Sequence, residues 1–111
     1  MAEANSNGYV VILITAGSAE EARCISRMLL EKRKAACVNI ILKISSSYRW
    51  QGKIESTEEN LLVVKTRTSL ADEVIDLVKS VHSYEVPEII ALPILAGNPD
   101  YLDWIGKETG E

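Results

Sequence analysis

YVVILITA, residues 9–16, is the stretch that decides the fold. It is short, rich in β-branched residues and followed by Gly17, which favours a buried strand over a helix. The two alternating sets of side chains are both apolar: Tyr9, Val11 and Leu13 in one, and Val10, Ile12 and Ile14 in the other. Successive side chains of a strand point to opposite faces, so this strand needs a layer of protein on each side.

Two helices are predicted, one before and one after the strand segments in the middle of the sequence. The first spans about Ala19 to Arg33, because Ser18 and Glu21 have capping-box spacing and apolar residues recur at helical period. Ser69 is predicted to cap the second helix, which ends near His82. Its apolar face consists of Leu70, Val74, Leu77, Val78 and Val81.

The segments between and after these helices have strand character. Residues 36–50 form one strand, and the sequence WQGK supplies a glycine-containing turn into a partner strand that begins near Lys53, which predicts a long hairpin. A short last strand is expected in VPEIIALPIL, residues 86–95, because its prolines cannot donate to a ladder. Asn98 and Pro99 are typical of a helix start and predict a short C-terminal helix.

The order strand, helix, strand, strand, helix, strand predicts an α+β fold, a ferredoxin-like βαββαβ sandwich with a long hairpin between its second and third strands. Two helices cover one face of such a sheet, so its apolar second face must meet something else. Self-association is the simplest answer, and a different protein partner is the alternative. We expect a charge at Ile12 or Val63 to break such an assembly.

Composition limits the class of protein. The 111 residues predict one domain, residues 9–111, after a disordered polar leader, residues 1–8. A net charge of -4 opposes binding to nucleic acid. There is no apolar run of membrane-spanning length, and the start MAEANSNG does not resemble a signal peptide, so we expect no membrane association and a cytoplasmic location. Cys24 and Cys37 are expected to be reduced thiols.

Five ordered motifs together resemble the CutA divalent-cation-tolerance family: KRKAACVNI, SSYRWQGKI, VVKTR, VHSYEVPEIIALPI and NPDYLDWI, within residues 32–105. The resemblance implies a ferredoxin-like subunit in a tightly packed homotrimer, with the sheets facing inward and the hairpin reaching a neighbour. It links the chain to tolerance of copper and other divalent cations. The trimer of this family is also similar in architecture to PII signalling proteins, which bind small effectors between subunits.

His82 and Cys37 are the candidate metal ligands. Imidazole binds copper, and a thiolate suits soft metals. The alternatives are a helix C-cap or hydrogen-bonding role for His82 and buried packing for Cys37. Some family members complete a copper site with a second histidine and a cysteine, where this chain has Val81 and Ile14. No cofactor is firmly implied beyond copper or another divalent cation.

A second candidate site is implied by the resemblance, in the cleft between subunits. Its residues are Trp50, Glu58, Lys65, Tyr84 and Glu85. A cation, carboxylates and an aromatic wall can hold a small polar ligand. The alternative is structural, with Lys65 in an intersubunit salt bridge and Trp50 anchoring the hairpin.

Two functions follow as hypotheses. The first is a trimeric metal-response protein that binds copper or other divalent cations weakly. The alternative is a PII-like signalling or adaptor protein that holds a small anion or nucleotide-like effector in the intersubunit cleft through Lys65 and Trp50. An enzyme is not expected, because the motifs supply neither a nucleophile with its base nor a phosphate-binding glycine loop.

Overall fold

The computed structural model describes residues 8–110, and its elements follow the predicted order. The strands are β1 (Tyr9–Ala16), β2 (Cys37–Trp50), β3 (Lys53–Arg67) and β4 (Ile89–Pro93). The helices are α1 (Ala19–Glu31), α2 (Ala71–Val81) and α3 (Pro99–Glu108), with a 3-10 turn, Thr68–Leu70, before α2. The predicted polar leader lies outside the described residues except for Gly8.

The four strands form one antiparallel sheet in the order β2-β3-β1-β4. Strand β1 is central and pairs with β3 from Tyr9↔Arg67 to Ala16↔Asn60. Its other edge pairs with β4, which places Ile12 opposite Ala91. This arrangement confirms the predicted α+β, ferredoxin-like fold with a long hairpin and a C-terminal helix.

One face of the sheet is covered by α1 and α2. The core cluster joins alternate residues of β1 and β3 to the apolar faces of both helices, and its fully buried members include Ile12, Ile14, Leu62, Val64, Ala22, Leu29, Val74 and Val78. Ile12 is therefore a core residue. The expectation that a charge there would act on assembly is wrong, because it would be buried beneath the helices and would disrupt folding itself.

The other face, which we call the open face, is also apolar. Register places Leu13, Val63 and Ile90 in one row across it and Val11 beside Leu92 in the next. Ile90 and Leu92 are each about half exposed, at 48% and 49%. The two apolar alternations predicted for β1 are therefore both present, one beneath the helices and one on the open face.

Helix starts were predicted with mixed success. Ser18 is the N-cap of α1, and its hydroxyl accepts a hydrogen bond from the Glu21 amide, as expected. The prediction that Ser69 caps the second helix is wrong. That residue lies inside the 3-10 turn, and the N-cap of α2 is Leu70, which makes no side-chain capping bond. At the C-terminal helix, Asn98 accepts a hydrogen bond from the Asp100 amide.

The long hairpin turns in two residues. Gln51 and Gly52 both have positive φ, at 52° and 81°, as a type I′ turn requires, and Trp50 pairs directly with Lys53. Beyond the end of β1 the hairpin continues as a two-stranded ribbon. This ribbon carries part of the candidate site described below.

A bulge in β2 sets which side chains of the ribbon face the open side. Ile41 pairs with Leu61 but Ile44 pairs with Glu59, so β2 contains one extra residue. Lys43 lies in the bulge with φ of 63°, and its amide donates to Asn60 Oδ1 at 3.2 Å. Because each residue reverses side-chain direction, the extra residue moves the even-numbered side chains of the ribbon to the open face.

Helix α3 packs against the open side of one end of the sheet. Ile105 is fully buried, and Arg67 Nε donates to Thr109 Oγ1 at 3.0 Å. The Arg33 guanidinium also donates to the Lys107 carbonyl at 2.9 Å. Tyr101 and Trp104 remain about 40% exposed, so the C-terminal aromatic stripe is only partly buried in the chain.

Within residues 8–110, no helix combines the length and the apolar character that are needed to cross a membrane.

Leu29 and Leu30 offer a matched test of the core. Leu29 is fully buried between α1 and the sheet, whereas Leu30 is 40% exposed on the same helix. Leu29→Ala should lower the free energy of unfolding by about 2–5 kcal/mol because it leaves a cavity. Leu30→Ala should cost less than about 1 kcal/mol. Urea unfolding at one protein concentration measures both, and equal losses would contradict this placement of α1.

Candidate functional site

A cavity of about 990 Å³ lies where the ribbon meets the end of β1 and the segment between α2 and β4. Aromatic side chains of Tyr48, Trp50 and Tyr84 line it, together with the carboxylates of Glu55, Glu59, Glu85 and Glu88. The remaining lining residues are Thr15, Ser46, Ser47, Thr57 and Val86. We call this the acidic cavity.

The β-bulge places the aromatic wall. After the bulge, Tyr48 is paired with Glu55, and Trp50 lies two residues further along the same face. If the alternation of residues 37–41 continued unbroken through all the residues of β2, Ser47 and Arg49 would lie on this face in their place. The bulge is itself held by Asn60, whose side chain also donates to the Ala16 carbonyl at 3.4 Å.

Glu59 is the most buried acidic residue of the cavity, with 8% of its surface exposed. One carboxylate oxygen, Oε2, accepts a hydrogen bond from the Tyr84 hydroxyl at 2.8 Å. Burial and the bond to Glu59 raise the pKa of Tyr84 to about 12, so its hydroxyl stays protonated and donates at neutral pH. Tyr84 thereby fixes the orientation of the Glu59 carboxylate.

His82 holds the segment that carries Tyr84 and Glu85. Its side chain is fully buried. Nε2 donates to the Thr15 carbonyl at 2.7 Å, since a carbonyl can only accept, and Nδ1 accepts from the Tyr84 amide at 3.0 Å. His82 is also the C-cap residue of α2. Both ring nitrogens are thus engaged within the chain, which fits the hydrogen-bonding alternative better than a ligand role.

Glu21 holds the same segment from α1. Its carboxylate accepts from the Ser83 amide at 2.7 Å, from the Ser83 hydroxyl at 3.0 Å and from the Gly17 amide at 3.3 Å. Burial raises the pKa of Glu21, but the bonds from Ser83, the nearby His82 ring and the Gly17 amide together lower that pKa below its ordinary value. A smaller depression of about 460 Å³ beside this contact contains none of the predicted site residues.

Cys37 lies at the far end of the open face, in register with Lys65 and Val11. Its thiol lies 4.0 Å from Asn39 Oδ1. Burial and the Cys37 side chain raise the pKa of Tyr101, which lies in the first turn of α3. Cys37 itself is half-buried.

The two candidate metal ligands do not come together. His82 contacts Thr15, whereas Cys37 lies in the row of Val11, four residues along β1 and thus about 13 Å away. They cannot share one ion within a chain. Residues 8–110 contain no group of three or more His, Cys, Asp or Glu side chains that could hold a metal ion. The described residues therefore do not fit a preformed copper site.

The predicted cleft residues separate into two groups. Trp50, Tyr84 and Glu85 line the acidic cavity. Glu58 does not, because it alternates with Glu59 and pairs with Ser45 on the other side of the ribbon. Lys65 does not either. It lies six residues along β3 from Glu59, about 20 Å away, and its ammonium donates to Asn39 Oδ1.

Three acidic lining residues were missed from sequence: Glu55, Glu59 and Glu88. The two-residue turn after Trp50 could have identified Glu55 and Glu59 from sequence. With Trp50 opposite Lys53, every second residue after Lys53 shares the face of Trp50, which selects Glu55 and Glu59 and rejects Glu58. No comparable signal was available for Glu88, because it lies between α2 and β4, where the chain has no repeating side-chain direction.

Low pH should remove the part of the free energy of unfolding that the contact between Glu21 and Ser83 contributes. Since the folded-state pKa of Glu21 is lowered, its contribution to stability is present above the unfolded value of 4.5 and is lost as pH falls through the folded value. Urea unfolding at pH 7 and pH 3 should show Glu21→Gln much less stable than the wild type only at pH 7. Glu20→Gln, on the exposed neighbour, is the control. A pH-independent loss for Glu21→Gln would contradict this account.

Comparison with known proteins agrees with this fold. The family model for the CutA1 divalent ion tolerance protein matches residues 10–108. The divalent-cation tolerance protein CutA of Thermus thermophilus is 51% identical over 90% of this chain and 97% of that protein. Mouse protein CutA is 45% identical over 96% of this chain, which spans 63% of the mouse protein.

Solved structures give the same result. The chain superposes with a TM-score of 0.88 on an Archaeoglobus fulgidus protein named a periplasmic divalent cation tolerance protein CutA, at 49% identity and with 90% of this chain and 97% of that one covered. These names describe tolerance of divalent cations and not a reaction. The extent of the family-model match and the identity to the Thermus thermophilus protein decide the assignment: the chain belongs to the CutA1 divalent ion tolerance protein family.

Proposed function

We propose that this protein is a non-enzymatic homotrimer that takes part in the response to divalent metal ions. The observation that carries this proposal is the 51% identity, over 90% of the chain, to the Thermus thermophilus divalent-cation tolerance protein. The tolerance role comes from that relative's name. The trimer comes from the family resemblance and from the apolar open face of the sheet.

The open face supports self-association. It presents Leu13, Val63 and Ile90 in one row, with Leu92 beside them. Helices α1 and α2 are both on the opposite face, and α3 covers only the end near Arg67. A contiguous apolar surface of this kind on a small domain is typical of an interface. Identical copies are the proposed occupants.

Val63→Glu should dissociate the trimer to monomers, because it buries a charge in the proposed interface without a partner. Native mass spectrometry measures the subunit count. Val81→Glu, the same substitution at a half-exposed residue of α2, is the control and should remain trimeric. A folded trimer carrying Val63→Glu would contradict the placement of the interface on the open face.

Metal binding is proposed to be weak and to use Cys37 together with exposed carboxylates. The affinity is expected to be low because residues 8–110 provide no preformed group of three donors. His82 could contribute only by releasing the Thr15 carbonyl or the Tyr84 amide. Copper is the preferred ion for a thiol donor of this kind.

Copper uptake should depend on Cys37. Cys37→Ser should reduce the copper retained in native mass spectra, because a hydroxyl is a poor ligand for a soft metal. Cys24→Ser removes the other free thiol, which is exposed on α1, and should leave uptake unchanged. Uptake that survives both Cys37→Ser and His82→Gln would show that the two predicted ligands are wrong.

The second candidate function is binding of a small effector, as in PII-like signalling or adaptor proteins. The acidic cavity favours it, since about 990 Å³ lined by three aromatic residues is ample for a small organic molecule. Lys65, the predicted anion-binding residue, lies outside this cavity in the chain. A thermal-shift screen of small charged compounds tests this function, because a bound compound raises the unfolding temperature.

The cytoplasmic location stays a prediction. The Archaeoglobus fulgidus relative is named a periplasmic protein, and cell fractionation distinguishes the two locations.

A further inference from the structure

The charge of the acidic cavity selects among ligands. Four glutamates line it, and its described lining includes no lysine, arginine or histidine. Carboxylates that share a concave surface add their potentials and repel an anion, whereas they attract a cation. The cavity of the single chain is therefore unsuited to the anionic effector that Lys65 would have held.

Glu59 gives an independent indication of a cation. Its side chain is nine-tenths buried, and only Oε2 is engaged, by the Tyr84 hydroxyl. Within residues 8–110, Oε1 receives no hydrogen bond, and no basic side chain lies within 4.0 Å of the carboxylate. No buried side-chain oxygen or nitrogen among these residues lacks a hydrogen-bond partner, so Oε1 is the part of the carboxylate that is open to the cavity. A cation in the cavity would therefore meet this oxygen and its negative charge.

The aromatic wall distinguishes an organic cation from a metal ion. Trp50 and Tyr48 line the cavity and are 58% and 43% exposed. Ammonium groups bind favourably over aromatic faces and beside carboxylates. A divalent ion instead needs several oxygens converging on one point, and the described residues contain no group of three such donors.

We propose that the acidic cavity binds a small organic cation, an amine or a quaternary ammonium, with Glu59 as its counter-charge and Trp50 and Tyr48 as its aromatic wall. The inference rests on the effector-binding function and names its ligand class. It does not depend on copper binding.

Tetramethylammonium is the probe, and Trp50 is the reporter. The sequence contains two tryptophans, so the full chain carrying Trp104→Phe leaves Trp50 as the sole indole. Its fluorescence should change saturably as tetramethylammonium chloride replaces sodium chloride at constant ionic strength. tert-Butanol, a neutral molecule of similar shape, should produce no saturable change. Sodium phosphate is the anionic probe.

Glu59→Gln tests the counter-charge. The amide keeps the shape of the side chain and an oxygen that accepts from Tyr84, so loss of the negative charge should weaken tetramethylammonium binding by roughly tenfold. Glu58→Gln removes the same charge from the adjacent residue, which faces away, and should change binding by less than about twofold. Glu85→Gln, elsewhere in the lining, should act in the same direction as Glu59→Gln and replaces it if that variant fails to fold.

Four results would overturn the proposal. Equal weakening by Glu58→Gln and Glu59→Gln would mean that only the general negative field of the chain acts. If the Trp50 fluorescence saturates with phosphate but not with tetramethylammonium, the ligand is an anion and not a cation, and the effector-binding function is retained. A response to neither ion, or an equal response to tert-butanol, would remove the organic-cation site, and an unsuccessful thermal-shift screen would then remove the effector function as well.

Discussion

The pairing of β1 with β3 is the constraint on which the rest of the structure depends. Once Ile12 lies opposite Val64, alternation assigns every side chain of both strands to the helix-covered face or to the open face. A slip of one residue would expose the core and bury Lys65. The register therefore determines the core beneath α1 and α2, the apolar surface proposed for self-association, and the location of Glu59 at the cavity.

The acidic cavity depends on three parts of the chain that meet at the end of β1. The ribbon supplies Trp50 and Glu59, β1 supplies Thr15, and the segment after α2 supplies Tyr84 and Glu85. This last segment has little regular structure of its own. It is held by hydrogen bonds from His82 to Thr15 and from Ser83 to Glu21. His82, a candidate metal ligand from sequence, is thus part of the support of the cavity wall.

Sequence was sufficient for the fold because the relevant signals are local and periodic. The two apolar alternations of residues 9–16, the capping box at Ser18 and the turn after Trp50 each predicted an element that the structure contains. The prediction for Ser69 failed for a physical reason. Ser69 has the chemistry of a cap, but a 3-10 turn precedes the helix. The resemblance groups Glu58 and Lys65 with Trp50 in a cleft between subunits, and this stays a prediction; within one chain, strand alternation and length separate them.

What the sequence could not provide was the effect of one extra residue. A bulge cannot be inferred from composition. The side-chain directions of β2 before Ile41 do not predict those after Ile44. The pairing of His82 with a backbone carbonyl 67 positions away is likewise a tertiary contact. Sequence therefore identified Trp50, Tyr84 and Glu85 as candidates but not the carboxylates that face them.

The bulge also determines which change of length this segment tolerates. Removing one residue between Ile41 and Ile44 would restore regular pairing, and the two-residue turn would still keep Trp50 opposite Lys53 and Tyr48 opposite Glu55. Directly opposite residues share a face of the sheet, so both aromatic side chains would still line the cavity. Removing a second residue from β2 alone would leave it too short to keep this register with β3. Among proteins with this hairpin, the outer part of β2 should therefore tolerate the loss of one residue, but the loss of two only where β3 shortens with it.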